Sequence, residues 1–390
     1  MKNDLGLSGL GLAVFFALAP PIAAGGALGL PVLMCLVGAA ALRPNMVRTA
    51  LAERPAALAF VVLFAAWAAL SCLWSPYSAA AQAGKVAALV ALGLPFTAAA
   101  HANQKTRRIA VAGGLATIIV LIGLLAIEAV WTLPINRAAQ PDEDPGQLVR
   151  NYARGSCFLI SVVWAGAGAL LALGGGVRFG MTLALLAASL VVAIQYDQLG
   201  NGVAFAISGS AFVLAWAAPR VALYAVSGGL AAWMLAAPFV TPLIVGNARI
   251  VEALPLSWAA RAGIWDYVCA RILEQPWIGH GLEASRAVTD RIYVRDLDMR
   301  GTPVHPHSAS LQIWFETGLV GAALAAAALV FGGRWLARTY ADNRPAAAAA
   351  CATLASIGVI ANISFGIWAE WWIATMFIAA ALVGAIPVRR

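Results

Sequence analysis

The sequence HPHSASLQIWFETGLVG, which begins at His305, places two of the chain's four histidines at the start of an apolar run. Pro306 prevents a helix from extending back through His305, and Ser308 is suited to cap a helix that starts near Ala309. His307 then lies just before the helix N-terminus, where the positive end of the helix dipole lowers the pKa of an imidazole. A histidine that stays neutral near pH 7 can act as a general base, although an interfacial histidine without a chemical role fits the position equally well.

Two polar side chains, Gln312 and Glu316, follow one turn apart on the same face of this predicted helix. Polar groups inside a membrane-spanning segment normally face the interior of the bundle and often mark a functional site. The alternative is a structural hydrogen bond between helices, which we favour for Gln312 on position alone.

A long polar segment, 241–307, precedes these histidines, and within it LPLSWAARAGIWDYVCARILEQP predicts an amphipathic helix that ends at Pro276. Trp258, Arg261 and Trp265 recur at helical spacing, so the guanidinium lies close to a stripe of tryptophans suited to the membrane interface. Arg261 either extends its charged end towards water or binds a phosphate through its paired donors. Spacing alone does not decide between the two.

Other polar residues of this segment indicate structure more than chemistry. Residues 282–290 are predicted to form a second short helix. Asp296 and Asp298 have the spacing of a metal-binding pair, but Arg295 and Arg300 flank them, so we expect the acids to pair with arginines and expect no metal site.

Two further cations, Lys85 and Arg154, are placed near the predicted outer boundary of the membrane. Lys85 lies about two turns into its apolar segment, and Arg154 lies where another segment enters the membrane. A cation at this depth needs a carboxylate or a headgroup phosphate as its partner. One such cation is ordinary anchoring, whereas Lys85, Arg154 and Arg261 on a single outer cavity would form a site for a lipid-linked diphosphate.

The composition determines the class of protein that positions these side chains. The chain has 390 residues, of which 62% are hydrophobic and 11% charged, whereas soluble domains carry roughly 25% charged residues. Its apolar segments do not alternate as the strands of a membrane barrel would. We therefore predict an all-α polytopic membrane protein with about twelve transmembrane helices, at 5–19, 26–42, 56–74, 79–100, 108–132, 155–173, 179–196, 202–218, 221–243, 309–333, 346–366 and 369–387.

The distribution of Lys and Arg predicts the orientation. With the N-terminus in the cytoplasm, the inner connectors carry most of the bases, as the positive-inside rule requires, and both termini are cytoplasmic. The net charge of +8 then follows from topology and needs no nucleic acid. The bases on this side are Lys2, Arg43, Arg48, Arg54, Lys105, Arg107, Arg108, Arg178, Arg220, Arg334, Arg338, Arg344, Arg389 and Arg390.

Three regions follow from this map: helices 1–9 in residues 1–240, an outer loop with catalytic elements in 241–308, and helices 10–12 in 309–390. The five cysteines fall mostly in or beside apolar segments and predict no disulfide framework. A transporter is the rival from another class. It would place charges at mid-membrane and show internal repeats, neither of which the sequence displays.

Two blocks resemble the O-antigen ligase and polymerase family. SWAARAGIWDYVCARILEQPWIGHGLEASR is similar to its Arg…Trp…Pro-x-x-Gly-x-Gly block, and HPHSASLQIWFETGLVG to its His-(Asn/Ser)-x-x-Leu-Gln-x-x-x-Glu-x-Gly-x-x-Gly block. The resemblance implies a GT-C-like glycosyltransferase of the bacterial inner membrane, with its active site on the periplasmic face. It would take a glycan from undecaprenyl diphosphate and pass it to a lipid A-core acceptor, or, in a polymerase, to another lipid-linked glycan.

The resemblance also implies roles for residues. His307 would be the general base and Arg261 the ligand of the leaving diphosphate, as the catalytic pair. Candidate substrate-binding residues are Arg154, Lys85, His305, Trp265 and Gln312. No metal or other cofactor is required, because the diphosphate is already a good leaving group. The chain departs from the family at QYDQLGNGVAF, where many members carry another arginine, so Lys85 or Arg154 would have to supply that charge.

Overall fold

A computed structural model describes residues 6–42, 48, 52 and 55–387. Within these residues the chain is all-α apart from one hairpin. The elements are α1 (Leu7–Ala24), α2 (Leu30–Ala41), α3 (Pro55–Leu70), α4 (Ala80–His101), α5 (Gln104–Val130), α6 (Pro134–Ala139), α7 (Pro145–Leu173), α8 (Gly176–Ala193), α9 (Leu199–Ala217), α10 (Pro219–Val245), α11 (Ala248–Ala253), α12 (Leu256–Ile272), β1 (Arg291–Val294), β2 (Leu297–Arg300), α13 (Ala309–Tyr340), α14 (Arg344–Ile363) and α15 (Glu370–Ala385).

Ten helices of the described residues are long and apolar enough to cross a membrane. Two more, α2 and α15, are apolar but shorter; the 12 residues of α2 extend about 18 Å, against a hydrocarbon core of about 30 Å. Each of the twelve predicted segments contains a helix, and the chain is a polytopic membrane protein, while the number of crossings stays a prediction. The predicted inner bases Lys2, Arg43, Arg54, Arg389 and Arg390 lie outside the described residues.

The predicted outer loop is more structured than the sequence indicates. The amphipathic helix is present as α12, with Pro255 as its N-cap. The second helix predicted over 282–290 is wrong: only Ala284–Ala287 form a short 3₁₀ turn. The strands β1 and β2 then form an antiparallel hairpin that was not predicted from the sequence. In it Asp298 pairs with Arg291 at 2.7 Å, across the hairpin, and not with either flanking arginine.

Two apolar cores hold the molecule together. The larger core joins α1, α2, α4, α5, α14 and α15 around α7, which is the most enclosed of the long helices. The smaller core joins α10, α12 and α13, and the indole of Trp314 reinforces it by donating to the carbonyl of Met234 at 2.7 Å. The smaller core therefore fixes the outer loop to the membrane helices.

The long helix α13 is interrupted at Gly318, where φ is 66° and ψ is −167°. The segment that follows α12 supplies the missing backbone hydrogen bonds: the N–H groups of His280 and Gly281 donate to the carbonyls of Phe315 and Glu316, both at 2.8 Å. In return, the carbonyls of residues 276 and 277 accept from the N–H groups of residues 319 and 320. Non-helical backbone is tolerated at membrane depth only where protein satisfies it in this way.

Gly279 and Gly318, one from each of the two family-like blocks, lie at this contact, and neither position has room for a side chain. A Cβ on Gly318 would lie 2.3 Å from the carbonyl oxygen of Trp277, and a Cβ on Gly279, whose φ is 67°, would lie 2.6 Å from the backbone of residues 316–318. The φ and ψ of Gly318 belong to a region that glycine alone occupies readily. Two backbone segments approach here without side chains between them.

We predict that Gly318→Ala destabilises the protein by at least about 2 kcal/mol, since it adds backbone strain and a steric overlap. Gly332→Ala is the matched control on the same helix, because no atom lies within 4 Å of its added Cβ. Thermal unfolding of the detergent-purified variants should show a lower Tm for Gly318→Ala only. Equal melting temperatures would show that the interruption carries no constraint.

Candidate active site

The carboxylate of Glu316 is fully buried beside the interruption and accepts four hydrogen bonds. The donors are the backbone N–H of Glu283 at 2.8 Å and the hydroxyl of Ser285 at 2.6 Å, with the Gln312 amide at 3.1 Å and the Trp368 indole at 2.5 Å. An ionised carboxylate is an acceptor only, so this set satisfies it. Glu316 thereby ties three separate segments together: the turn at 283–285, helix α13 and the connector before α15.

A cavity of about 430 Å³ lies beside this cluster, at the N-terminal ends of α4 and α15. Three cations line it, Lys85, Arg154 and Arg286, with two carboxylates, Glu283 and Glu370. Lys85 and Arg154 therefore share one cavity, whereas Arg261, the third cation of the predicted diphosphate site, does not line it. Its other lining residues are Leu28, Tyr77, Ser78, Ala81, Gln82, Val304, His305, Gln312, Gly366, Trp368, Ala369 and Trp371.

The charges of the cavity do not cancel. Lys85 pairs with Glu370 at 2.8 Å, and Arg286 pairs with Glu283. Arg154 donates to the amide oxygen of Asn151 at 2.9 Å, and no carboxylate among the described residues pairs with it. Three cations face two carboxylates, so the cavity carries a surplus positive charge suited to an anionic headgroup.

The histidine pair has a defined hydrogen-bond arrangement. Nδ1 of His307 lies 2.6 Å from the carbonyl oxygen of Ser364; since a carbonyl only accepts, Nδ1 carries the proton and Nε2 of the neutral ring keeps its lone pair. The backbone N–H of His307 donates to Nδ1 of His305 at 3.2 Å. His307 also has a positive φ of 55°, which is uncommon for a residue with a side chain and frequent at functional sites.

Burial is the main cause that lowers the pKa of His307 to about 4, with a smaller contribution from the positive charge of Arg261, while the hydrogen bond to Ser364 acts in the opposite direction. Burial also lowers the pKa of His305 to about 3, and the nearby charges of His307, Arg286 and Arg261 add to this effect. The pKa of His307 is lowered, as expected from the sequence, but burial and not the helix dipole is the main cause. Both rings are neutral at pH 7.

Arg261 lies on the α12 side of the histidines and does not line the cavity. Its guanidinium is 5.4 Å from the ring centroid of Trp258 and donates to the carbonyl of Ser257 at 3.3 Å. Burial lowers its pKa, and its Nε is buried without a hydrogen-bond partner. Trp265 connects α12 to the histidines by donating to the carbonyl of Pro306 at 2.8 Å.

The structure therefore divides the predicted site residues into two groups. Lys85, Arg154, His305 and Gln312 line the cavity; Arg261, Trp265 and His307 lie beside it. Gln312 also donates to Glu316 and accepts from the N–H of Ile367 at 3.0 Å. Its structural and substrate-binding interpretations are thus compatible.

Arg286 and Glu283 line the cavity but were not predicted as site residues. Arg286 ends the first family-like block, and its i, i+3 spacing from Glu283 was the signal that could have found the pair. The region around Gln198, where the family often carries an arginine, packs elsewhere: Asn201 is buried and donates to the Ser156 hydroxyl at 2.9 Å. Within the described residues no group of three or more His, Cys, Asp or Glu side chains is placed to hold a metal ion.

Comparison with known proteins supports the resemblance. Residues 148–326 match the family model described as O-antigen ligase. A protein of Rickettsia typhi is 28% identical over 183 residues and one of Rickettsia bellii 29% identical over 189 residues; both carry the name "putative polysaccharide ligase". The alignments cover 45–46% of this chain and 45% of each relative, so the chain spans just under half the length of the curated relatives it matches. No solved structure matches the chain.

The matched residues include Arg154, Arg261, Arg286 and the whole His-Pro-His block, whereas Lys85 and Glu370 lie outside them. The similarity to the O-antigen ligase family therefore covers residues 148–326, just under half of the chain.

Proposed function

We propose that the protein transfers a glycan from undecaprenyl diphosphate to a hydroxyl of a lipid A-core acceptor, by a metal-independent inverting displacement. The observation that carries the proposal is a cavity with surplus positive charge directly beside a neutral, oriented histidine. Cations suit the diphosphate of the donor, and the histidine suits the acceptor hydroxyl. The family match supports glycosyl transfer as the reaction class.

The donor side needs charge stabilisation. In our proposal the diphosphate lies in the cavity and is bound by Arg154, Arg286 and Lys85, whose positions are held by the surrounding protein before the reaction starts. Fixed cations stabilise the charge that develops on a leaving group without reorganisation. Arg261 does not line the cavity, and we propose that it contacts the diphosphate from the α12 side, because its buried Nε lacks an acceptor and a phosphate oxygen would supply one.

The acceptor side needs a base. Nε2 of His307 takes the proton of the acceptor hydroxyl while that oxygen forms a bond to the anomeric carbon of the donor sugar. The bond from this carbon to the phosphate oxygen breaks, and undecaprenyl diphosphate leaves with the electron pair. The proton stays on the imidazole until it passes to solvent. A positioned general base typically contributes 10²–10⁴-fold.

The remaining parts of the proposal are the acceptor substrate and the arrangement of the protein in the membrane. The names of the rickettsial relatives favour a ligase, and the alternative is a polymerase that extends lipid-linked repeats. We further propose a GT-C-like arrangement of about twelve helices in the bacterial inner membrane, with both termini cytoplasmic and the cavity periplasmic. A transporter is a weaker alternative, because the charged residues cluster at one end of the bundle around a hydrogen-bonded histidine.

We predict that His307→Asn reduces transfer by at least about 10²-fold, the contribution of a general base. Asparagine tolerates a positive φ and its amide can still donate to Ser364, so the fold is preserved while the base is lost. The measurement is glycan transfer by protein reconstituted with a lipid-linked glycan, with lipid A-core and a second lipid-linked chain as separate acceptors. Near-normal transfer by a correctly folded His307→Asn variant would reject the base assignment, and transfer only to the second lipid-linked chain would identify a polymerase.

The pH dependence of transfer is a separate prediction. Because burial lowers the pKa of His307 to about 4, the base is neutral throughout the neutral range. The rate should stay nearly constant from about pH 8 to about pH 5 and fall only as the pH approaches the lowered pKa, when the imidazole becomes protonated. A loss of activity centred near pH 6.5, the usual histidine value, would contradict a buried His307 as the base.

A further inference from the structure

An apolar groove continues from the cavity along the outside of the bundle. It has a volume of about 540 Å³ and lies between α2 and α4. Val32, Cys35, Leu36 and Ala39 form one wall, and Ala88, Leu89 and Leu92 form the other. The spacing along each helix is that of a single face, so the walls are stripes about 10 Å long on α2 and about 6 Å long on α4.

The groove and the cavity share their boundary. Leu28, Lys85, Glu370 and Trp371 line both, so the Lys85–Glu370 ion pair stands where the polar cavity becomes an apolar groove. At its far end α2 meets α4 backbone to backbone, since a Cβ on Gly38 would lie 2.0 Å from the carbonyl oxygen of Leu92. The groove is therefore closed at one end and opens into the cavity at the other.

The groove also faces the surroundings of the bundle. Val32 and Leu36 are each 63% exposed, and on a membrane-spanning bundle this exposure is to lipid. A molecule with a charged head and a hydrocarbon chain can thus place its head among the cations and its chain in the groove while staying in the membrane. The polarity of the two compartments matches that of such a molecule along its length.

We propose that this groove binds the first isoprene units of the polyprenyl chain whose diphosphate occupies the cavity. The proposal rests on the proposed function for the identity of the headgroup. The groove fixes the direction of the lipid from the cavity, between α2 and α4, and Lys85 lies at the junction of the diphosphate and the chain. An ordinary phospholipid with the same division into head and chain is the competing occupant.

Exposed alanines permit a direct test with matched controls. Ala88 lines the groove, while its neighbour Ala87 is exposed on α4 outside the lining. Ala39 and Ala40 form a second such pair on α2. Tryptophan at Ala88 or Ala39 would fill the groove, whereas tryptophan at Ala87 or Ala40 would only add an apolar surface to a lipid-facing position. All four positions are exposed, so folding should be retained.

The first measurement is the Kd of undecaprenyl diphosphate for protein in nanodiscs, with and without excess phosphatidic acid. We expect Ala88→Trp and Ala39→Trp to weaken binding at least about tenfold, the effect of removing roughly two buried CH₂ groups, and Ala87→Trp and Ala40→Trp to have no effect. Phosphatidic acid should compete poorly. Equal Kd values for groove and control variants, or equally effective competition by phosphatidic acid, would overturn the proposal.

The second measurement separates this proposal from the proposed function. Transfer is assayed with two donors that carry the same glycan diphosphate, one on the full polyprenyl chain and one on a single isoprene unit. We expect Ala88→Trp to raise KM for the long donor only. If wild-type protein transfers from neither donor, the proposed function fails while the binding data still decide the groove; if wild-type transfers and Ala88→Trp equals Ala87→Trp with the long donor, the groove proposal alone fails.

Discussion

The buried carboxylate of Glu316 is the constraint on which the site depends. It accepts hydrogen bonds from the turn at 283–285, from its own helix and from the connector before α15, two residues before the helix is interrupted at Gly318. A buried carboxylate without these donors would cost several kcal/mol. The folded protein can therefore keep Glu316 buried only with the three segments assembled, and the same three segments contribute Glu283, Gln312 and Trp368 to the cavity wall.

In the proposed reaction, this assembly places the cations that would bind the donor next to the histidine that would act on the acceptor. The imidazole of His307 donates to the carbonyl of Ser364, and the indole of Trp265 donates to the carbonyl of Pro306. These two hydrogen bonds hold His307 beside the cavity and not inside it. The cationic side chains of Lys85, Arg154 and Arg286 line the cavity itself. In the proposed single displacement, the base and the leaving group lie on opposite faces of the reacting sugar, so the sugar would lie between His307 and these cations.

Much of the fold could be predicted from the sequence, because hydropathy and helical spacing are local signals. The helices near all twelve predicted segments and α12 belong to this class. The interruption of α13 could not be predicted from periodicity, since its partners are the backbone of residues 276–281, far away in the chain. The cavity could not be predicted for the same reason, because its lining residues Lys85 and Glu370 are 285 positions apart in the chain. Arg286 gave two weak signals, its place at the end of a family-like block and its i, i+3 spacing from Glu283, because an arginine near a glutamate on a loop predicts an exposed ion pair as readily as a site.

The central claim is that the diphosphate lies among Lys85, Arg154 and Arg286, with its sugar facing Nε2 of His307. A cryo-electron microscopy structure of the protein with undecaprenyl diphosphate tests it most directly. We expect phosphate density in the cavity, within hydrogen-bond distance of at least two of these three cations. Phosphate density elsewhere on the protein, with the cavity cations still bound only to Glu283, Glu370 and Asn151, would contradict it.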